Sequence, residues 1–490
     1  MPKKRRTVGG FPAHTSATRQ RTTNRDHAKR QQRPMMEDEE IAAQLEQLIT
    51  PAVVAQEKYY RQLGMRDRIL NLPLMVAAVL TLIWRDVAGV RELGRMLARE
   101  GFLWCEPKQV SQQALSQRFM TFPAEIFERI FKELLPQFER KVRSWGFPKW
   151  STFSREQRWH NRKQRPLPES IQFTRTKFER IWACDGSTLE AIFRKLDSLA
   201  TVPKNQLAGK IGVVIDIVTR LPVEIWFQED AKASDMKFES DILKLVKPQT
   251  LILLDRGFCH YQFWQQLIEG NAHLITRLNN KASFTVESIL TNSYSIRDRI
   301  IKMGAGTKKT PCITMRLVEI RVGKTWHSFL TSVLDPLILP PYVVADLYSR
   351  RWRIEEAFNT VKRLLGLSYL WTGSLNGIKL QLWGTWLFYA VLVDLGDAVA
   401  DELSLPFDRI SLEMIYRGLY HFYVAHHKGL ATDPIKYFAA SENRDLGVVK
   451  SIRKPFTKLI IDPFPDRLKR DGPFFFELSA QTFLTTALAP

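Results

Sequence analysis

"GKIGVVIDIVTRLPVEIWFQEDAKASDMKFESDILKLVKPQTLILLDRGF", residues 209–258, carries the fold in outline. "GKIGVVIDIVT" and "LPVEIWFQED" are apolar, β-branched runs bounded by turn residues, and both read as strands. "SDMKFESDILKLV" has helical spacing, and "TLILLDRGF" is a further apolar strand that ends at Asp255. Working outward, "FERIWACDGSTL" is an earlier strand ending at Asp185, where Gly186 turns the chain, and "HLITRLN" is a fifth strand. Strands interleaved with helix predict an α/β sheet. From about 280 to 335 polar and apolar residues alternate around Gly and Lys turns, which predicts antiparallel strands inserted into that sheet. After Pro340–Pro341 the chain reads as helix.

Carboxylates at strand ends of an α/β sheet project into the crevice where ligands bind. Asp185 and Asp255 are therefore candidates, although Asp before Gly is also ordinary turn chemistry. A third acid comes from "YSRRWRIEEAFNTVKRLLGL", residues 348–367. At about 100° per residue, Tyr348, Arg351, Glu355 and Lys362 fall near 0°, 300°, 340° and 320°, a stripe roughly 60° wide. Leu347, Ile354, Ala357, Phe358, Val361, Leu364 and Leu365 occupy the arc from roughly 160° to 280° and are expected to be buried. The polar stripe is then expected to face away from the core, as a solvated surface or as a working site. Glu356, at about 80°, lies off the stripe, which leaves Glu355 as the candidate ligand. Two Asp and one Glu could close around one or two hard divalent cations and support in-line phosphoryl displacement.

The 490 residues suffice for two to four domains, and the charge balance narrows the partner. Lys and Arg number 72 against 51 Asp and Glu, a net charge of +21, which favours a polyanion, nucleic acid before anionic membrane. Cys105, Cys184, Cys259 and Cys312 show neither CxxC pairing nor zinc-ligand spacing, which points to a reducing compartment. The N-terminus has a basic head without the apolar stretch of a secretory signal. The apolar runs Ile69–Trp84 and 380–393 fall short of the ~20 residues a bilayer requires and are expected to be buried helices.

Residues 1–34 carry ten Lys or Arg against one Asp and read as a disordered basic arm. Residues 35–135 read as a helical DNA-binding domain in which helix, Gly-containing turn and helix succeed one another. Its first helix repeats Arg91, Arg95 and Arg99; its second starts after Ser111 and turns Ala114, Leu115 and Phe119 inward and Gln112, Gln113, Gln117 and Arg118 outward, a face suited to DNA base edges and phosphates, a solvated bundle face being the alternative. A basic, aromatic linker follows over 136–175, then the sheet domain over 176–400 with its β-rich insertion at about 278–338, then a mostly helical region over 401–490.

Tyr348-x2-Arg351-x3-Glu355-x6-Lys362 resembles the Y-R-E-K signature of DDE transposases of the bacterial insertion-sequence-four family, and "DGSTL" and "DRGF" resemble its two Asp motifs. The resemblance implies a ribonuclease H-like catalytic core with a β-rich insertion between Asp255 and Glu355, flanked by N-terminal helices that bind DNA and by C-terminal helices. It implies Mg2+, or Mn2+, held by Asp185, Asp255 and Glu355, with Tyr348, Arg351 and Lys362 gripping DNA phosphates. In hairpin-forming members an insertion-domain Trp stacks on a flipped base, and Trp326 in "VGKTWHSF" is the candidate, a packed strand Trp being the alternative. The partners implied are the double-stranded DNA of terminal inverted repeats and target, with a homodimer in the DNA complex, in a bacterial cytoplasm and away from membranes. A nuclease on the same core that cuts without joining, and a DNA-binding relative without catalysis, remain alternative readings.

Overall fold

A computed structural model describes residues 39–65, 68–87, 89–139, 168–189, 209–279, 282–307, 310–367, 371 and 374–449. The basic arm, most of the linker and residues 450–490 lie outside the described residues.

The chain opens with helices α1 (Glu39–Ala55), α2 (Glu57–Gln62), α3 (Leu72–Trp84), α4 (Val90–Arg99), α5 (Gln112–Thr121), α6 (Ala124–Glu139) and α7 (Glu169–Arg175). Asn71 caps α3, accepting from Leu74 N at 3.1 Å, and every residue of this helix but Pro73 is buried. Ser111 caps α5 as its sequence suggests, accepting from Ala114 N at 3.2 Å. Leu115 and Phe119 are buried, but Ala114 is exposed and does not join the inward face.

Nine strands follow in one sheet: β1 (Arg180–Thr188), β2 (Lys210–Asp216), β3 (Pro222–Gln228), β4 (Thr250–Leu254), β5 (His273–Arg277), β6 (Phe284–Asn292), β7 (Ile296–Met303), β8 (Ile313–Val322) and β9 (Thr325–Thr331). Their spatial order is β3-β2-β1-β4-β5-β9-β8-β7-β6. β1, β4 and β5 run parallel, and every other pairing is antiparallel. Between β3 and β5 lie a 3-10 turn (Asp235–Phe238), α8 (Glu239–Leu245) and α9 (Tyr261–Glu269). The inserted strands are no separate layer: β9 pairs with β5 and carries the sheet onward to β6.

The remaining helices are α10 (Pro341–Arg350), α11 (Trp352–Asn359), α12 (Leu375–Glu402), α13 (Leu412–His427) and α14 (Pro434–Ala439). By length and composition α12 passes as a membrane span, yet its whole apolar window is buried inside the protein. It is the axis against which α3, α6, α13 and α14 pack. One hydrophobic core joins these helices to one face of the sheet, through Ile181, Ala183, Leu251, Leu253, Ile275 and Phe329. The alternate residues Trp182, Cys184, Ile252, Leu254, Leu274 and Leu330 build a second core on the other face with α8 and α9.

Candidate active site

Parity along the strands places the site. Asp185 is in phase with Ile181 and Ala183, and Asp255 with Leu251 and Leu253, so both acids point to the face covered by α10 and α11. The pairing of β1 with β4 stops at Cys184–Leu254, one residue before each Asp. Asp185 does not end its strand, however: β1 continues to Thr188 against β2, with Gly186 opposite Gly212, so Gly186 is a strand residue and not a turn.

The helix over 341–364 is not continuous. It breaks at Arg351 between α10 and α11, and residues 360–364 form a π-turn in which Leu365 N donates to Thr360 O at 3.0 Å. The arc Leu347, Ile354, Ala357, Phe358, Val361, Leu364 and Leu365 is buried, as the wheel predicts. The stripe opposite it is not a solvent face. Tyr348 and Arg351 are each only 7% exposed, because this side of the helix closes against the ends of β1 and β4. π-turns of this kind often occur at functional sites, and here one carries Lys362.

Arg351 draws the three acids together. Nη1 donates to Asp185 Oδ2 at 2.7 Å, Nη2 donates to Glu355 Oε1 at 2.8 Å, and Nη2 lies 3.5 Å from Asp255 Oδ1. Burial works against the guanidinium charge, yet Asp185, Tyr348, Asp255 and Glu355 hold it more firmly protonated than a free arginine. Burial likewise pushes the Asp185 carboxyl up to about 6; Arg351 opposes that shift and Asp255 adds to it. Lys362 Nζ donates to Ser187 Oγ and, at 2.6 Å, to Thr188 O, while burial pushes the amine down to about 8 against the attraction of Asp185. Tyr348 packs on Phe329 with ring centroids 5.5 Å apart, its hydroxyl buried near the guanidinium without a well-formed hydrogen bond, and burial pushes the phenol up to about 12. Glu356 is exposed and touches none of this group.

All three acids are hard oxygen donors, the chemistry Mg2+ or Mn2+ prefers, and they already converge on one positive charge. As placed they surround a guanidinium, and among the described residues no three His, Cys, Asp or Glu close on a common point tight enough to enclose a metal ion. The donor set fits a divalent cation that competes with Arg351 for the same oxygens.

Two predicted contacts lie elsewhere. Trp326 is in phase with Leu330, on the face away from Tyr348, with Arg297 stacked on its ring at 4.3 Å. Polar residues of β9 and β5 that do share the acids' face include His327 and Arg277. Arg118 does not point free into solvent: it donates to Leu70 O at 3.1 Å and to Tyr60 Oη, inside the helical region. Sequence reasoning also missed Asp235, which sits behind both Asp motifs, and Asp408. The latter takes hydrogen bonds from Arg220 and, at 3.1 Å, from Arg353, with Arg350 3.7 Å away. An isolated Asp in a turn carries no signal of either role.

Residues 180–391 match the family described as "Transposase DDE domain". Over that span the chain is similar to a DDE transposase domain. A Sinorhizobium fredii protein named as a transposase, y4zB, is 24% identical over 227 residues, 41% of this chain and 60% of that relative. The "Transposase InsG for insertion sequence element IS4" of Escherichia coli is 28% identical over 171 residues, 32% of this chain and 37% of that relative. The chain thus matches less than two thirds of either relative. All three carboxylates and the Arg351 hub fall inside the matched span.

Proposed function

We propose that this chain cuts DNA and transfers the freed strand, moving an insertion sequence by metal-dependent phosphoryl transfer in a ribonuclease H-like core. The observation that carries the reading is the convergence of Asp185, Asp255 and Glu355, from three distant segments, on the single guanidinium of Arg351. The sheet order β3-β2-β1-β4-β5, with β1, β4 and β5 parallel, supports the core assignment, and the family names support the reaction.

Asp185, Asp255 and Glu355 would hold Mg2+ or Mn2+, which supplies charge neutralisation and an activated water or 3′-hydroxyl for in-line displacement. Arg351, placed among the three acids, would donate to a DNA phosphate beside the scissile bond. Lys362 holds the same strand from its anchorage on Ser187 and Thr188. Burial of Tyr348 keeps its phenol neutral as a hydrogen-bond donor. Arg277 and His327 extend this phosphate-binding face along the sheet. The helices within 39–139 are the proposed reader of the terminal inverted repeats, with a homodimer assembled on the two ends. In the hairpin route the freed 3′-hydroxyl attacks the opposite strand and the hairpin is reopened before target joining. The orientation of Trp326 lends that route no support.

Replacing Asp185, Asp255 or Glu355 by Ala should each lower cleavage on the order of a thousandfold while DNA binding stays near wild type. Pre-cut transposon ends incubated with target DNA test joining itself. Nicking without any joined product would favour a nuclease, and unimpaired cleavage by all three variants would overturn the site.

A further inference from the structure

We propose that Asp235, locked by Lys210, is the positioning residue that sets the separation of Asp185 and Asp255. The inference rests on the reading that those two acids hold a divalent cation. Backbone pairing does not fix their separation, since the β1–β4 ladder ends at Cys184–Leu254 and both acids lie one residue beyond it. Just past that point a single side chain touches both segments from the opposite face of the sheet. A Cβ added at Gly186 would collide with Asp235 Oδ1, and one added at Gly257 would lie 2.5 Å from Asp235 Oδ2. At Gly257 the three nearest heavy atoms all belong to Asp235. The carboxylate thus seats one oxygen against the backbone after each acid. Both motifs have glycine there because only an absent side chain leaves the carboxylate room.

An exposed Asp would rotate out of such a contact at little cost. This one is restrained. Lys210 Nζ lies 2.7 Å from Asp235 Oδ1 and donates to Ala233 O at 2.6 Å, and both side chains are largely buried. Lys210 itself is pinned in β2 opposite Thr188, the residue whose carbonyl accepts from Lys362. Ser234 caps the turn that presents Asp235, accepting from Met236 N at 3.4 Å. Asp235 acts through the backbone at Gly186 and Gly257.

The test uses full-length protein and follows Mn2+ binding by electron paramagnetic resonance, alongside thermal unfolding. Asp235→Ala should weaken Mn2+ binding about 10- to 100-fold, the usual effect of removing a residue that orients metal ligands. Its melting temperature and DNA affinity should stay close to wild type. Asp235→Asn keeps the shape against both glycines but loses the charge paired with Lys210, and should recover part of the affinity. Gly257→Ala should weaken binding by pushing the clamp aside, and adding Asp235→Ala to it should cause little further loss. A folded Asp235→Ala protein with wild-type Mn2+ affinity overturns the clamp, as does a Gly257→Ala protein with unchanged affinity should Asp235→Ala fail to fold. Wild-type protein that binds no Mn2+ overturns the metal site instead.

Discussion

Arg351 supplies one positive charge to three carboxylates, leaving the cluster a net double negative that a cation would relieve. Asp185 shows the strain in its titration. Burial first, and Asp255 after it, raise the carboxyl from an ordinary 3.8 to about 6. Such a group binds its proton more tightly folded than unfolded. Its contribution to folding is therefore present in acid and is lost as the pH rises through about 6 in the metal-free chain. Proton and divalent cation compete for the same oxygens, so Mn2+ affinity should fall as the pH drops below about 6, by up to about tenfold per unit. Calorimetric titration across that interval checks this; a flat profile would place the titrating group elsewhere. Glu355 was distinguishable from Glu356 on a helical wheel. The burial of Arg351 was not, because a wheel knows the direction of a side chain and not what stands opposite.

Among the elements, the break at Arg351 and the π-turn at 360–364 shape the site. Neither Gly nor Pro marks them in "YSRRWRIEEAFNTVKRLLGL", so periodicity alone reads the segment as unbroken α-helix. The entry to α10 has its own anchor. Arg316 on β8 donates to Asp298 on β7 through two bonds of 2.8 and 2.6 Å and to Leu339 O at 2.7 Å, and both side chains are sealed from solvent. Removing one partner strands the other charge, so Asp298→Ala should cost about 3–5 kcal/mol. The denaturation midpoint measures this, and a loss below about 1 kcal/mol would show that the site relaxes to admit water.

For the whole molecule, the C-terminal helical region braces the segment that carries the three-acid cluster. Asp408 binds Arg353 and neighbours Arg350, both on the helices that carry Arg351 and Glu355, and also receives Arg220 from the turn between β2 and β3. Asp408→Ala leaves three guanidinium groups without this acid. It should lower the melting temperature and cleavage rate together, whereas loss of Glu355 should lower cleavage alone. Net charge acts at the same scale. With +21 to set against phosphates, DNA affinity should drop about a thousandfold or more between low and physiological salt if six to ten phosphates are contacted. A shallow salt slope in a filter-binding series would contradict a broad phosphate interface.

Local periodicity and composition determined much of this protein by themselves. The alternation of β-branched runs set the strands, helical spacing set the buried arc from Leu347 to Leu365, and charge pointed to a polyanion. Those are properties of neighbours along the chain. The sheet order, the convergence of acids 70 and 100 residues apart (185 to 255, then 255 to 355), the face on which Trp326 lies and the placement of Asp235 behind two glycines were decided only in the tertiary structure. Each depends on which segments meet across the core, and no short-range pattern encodes the partner.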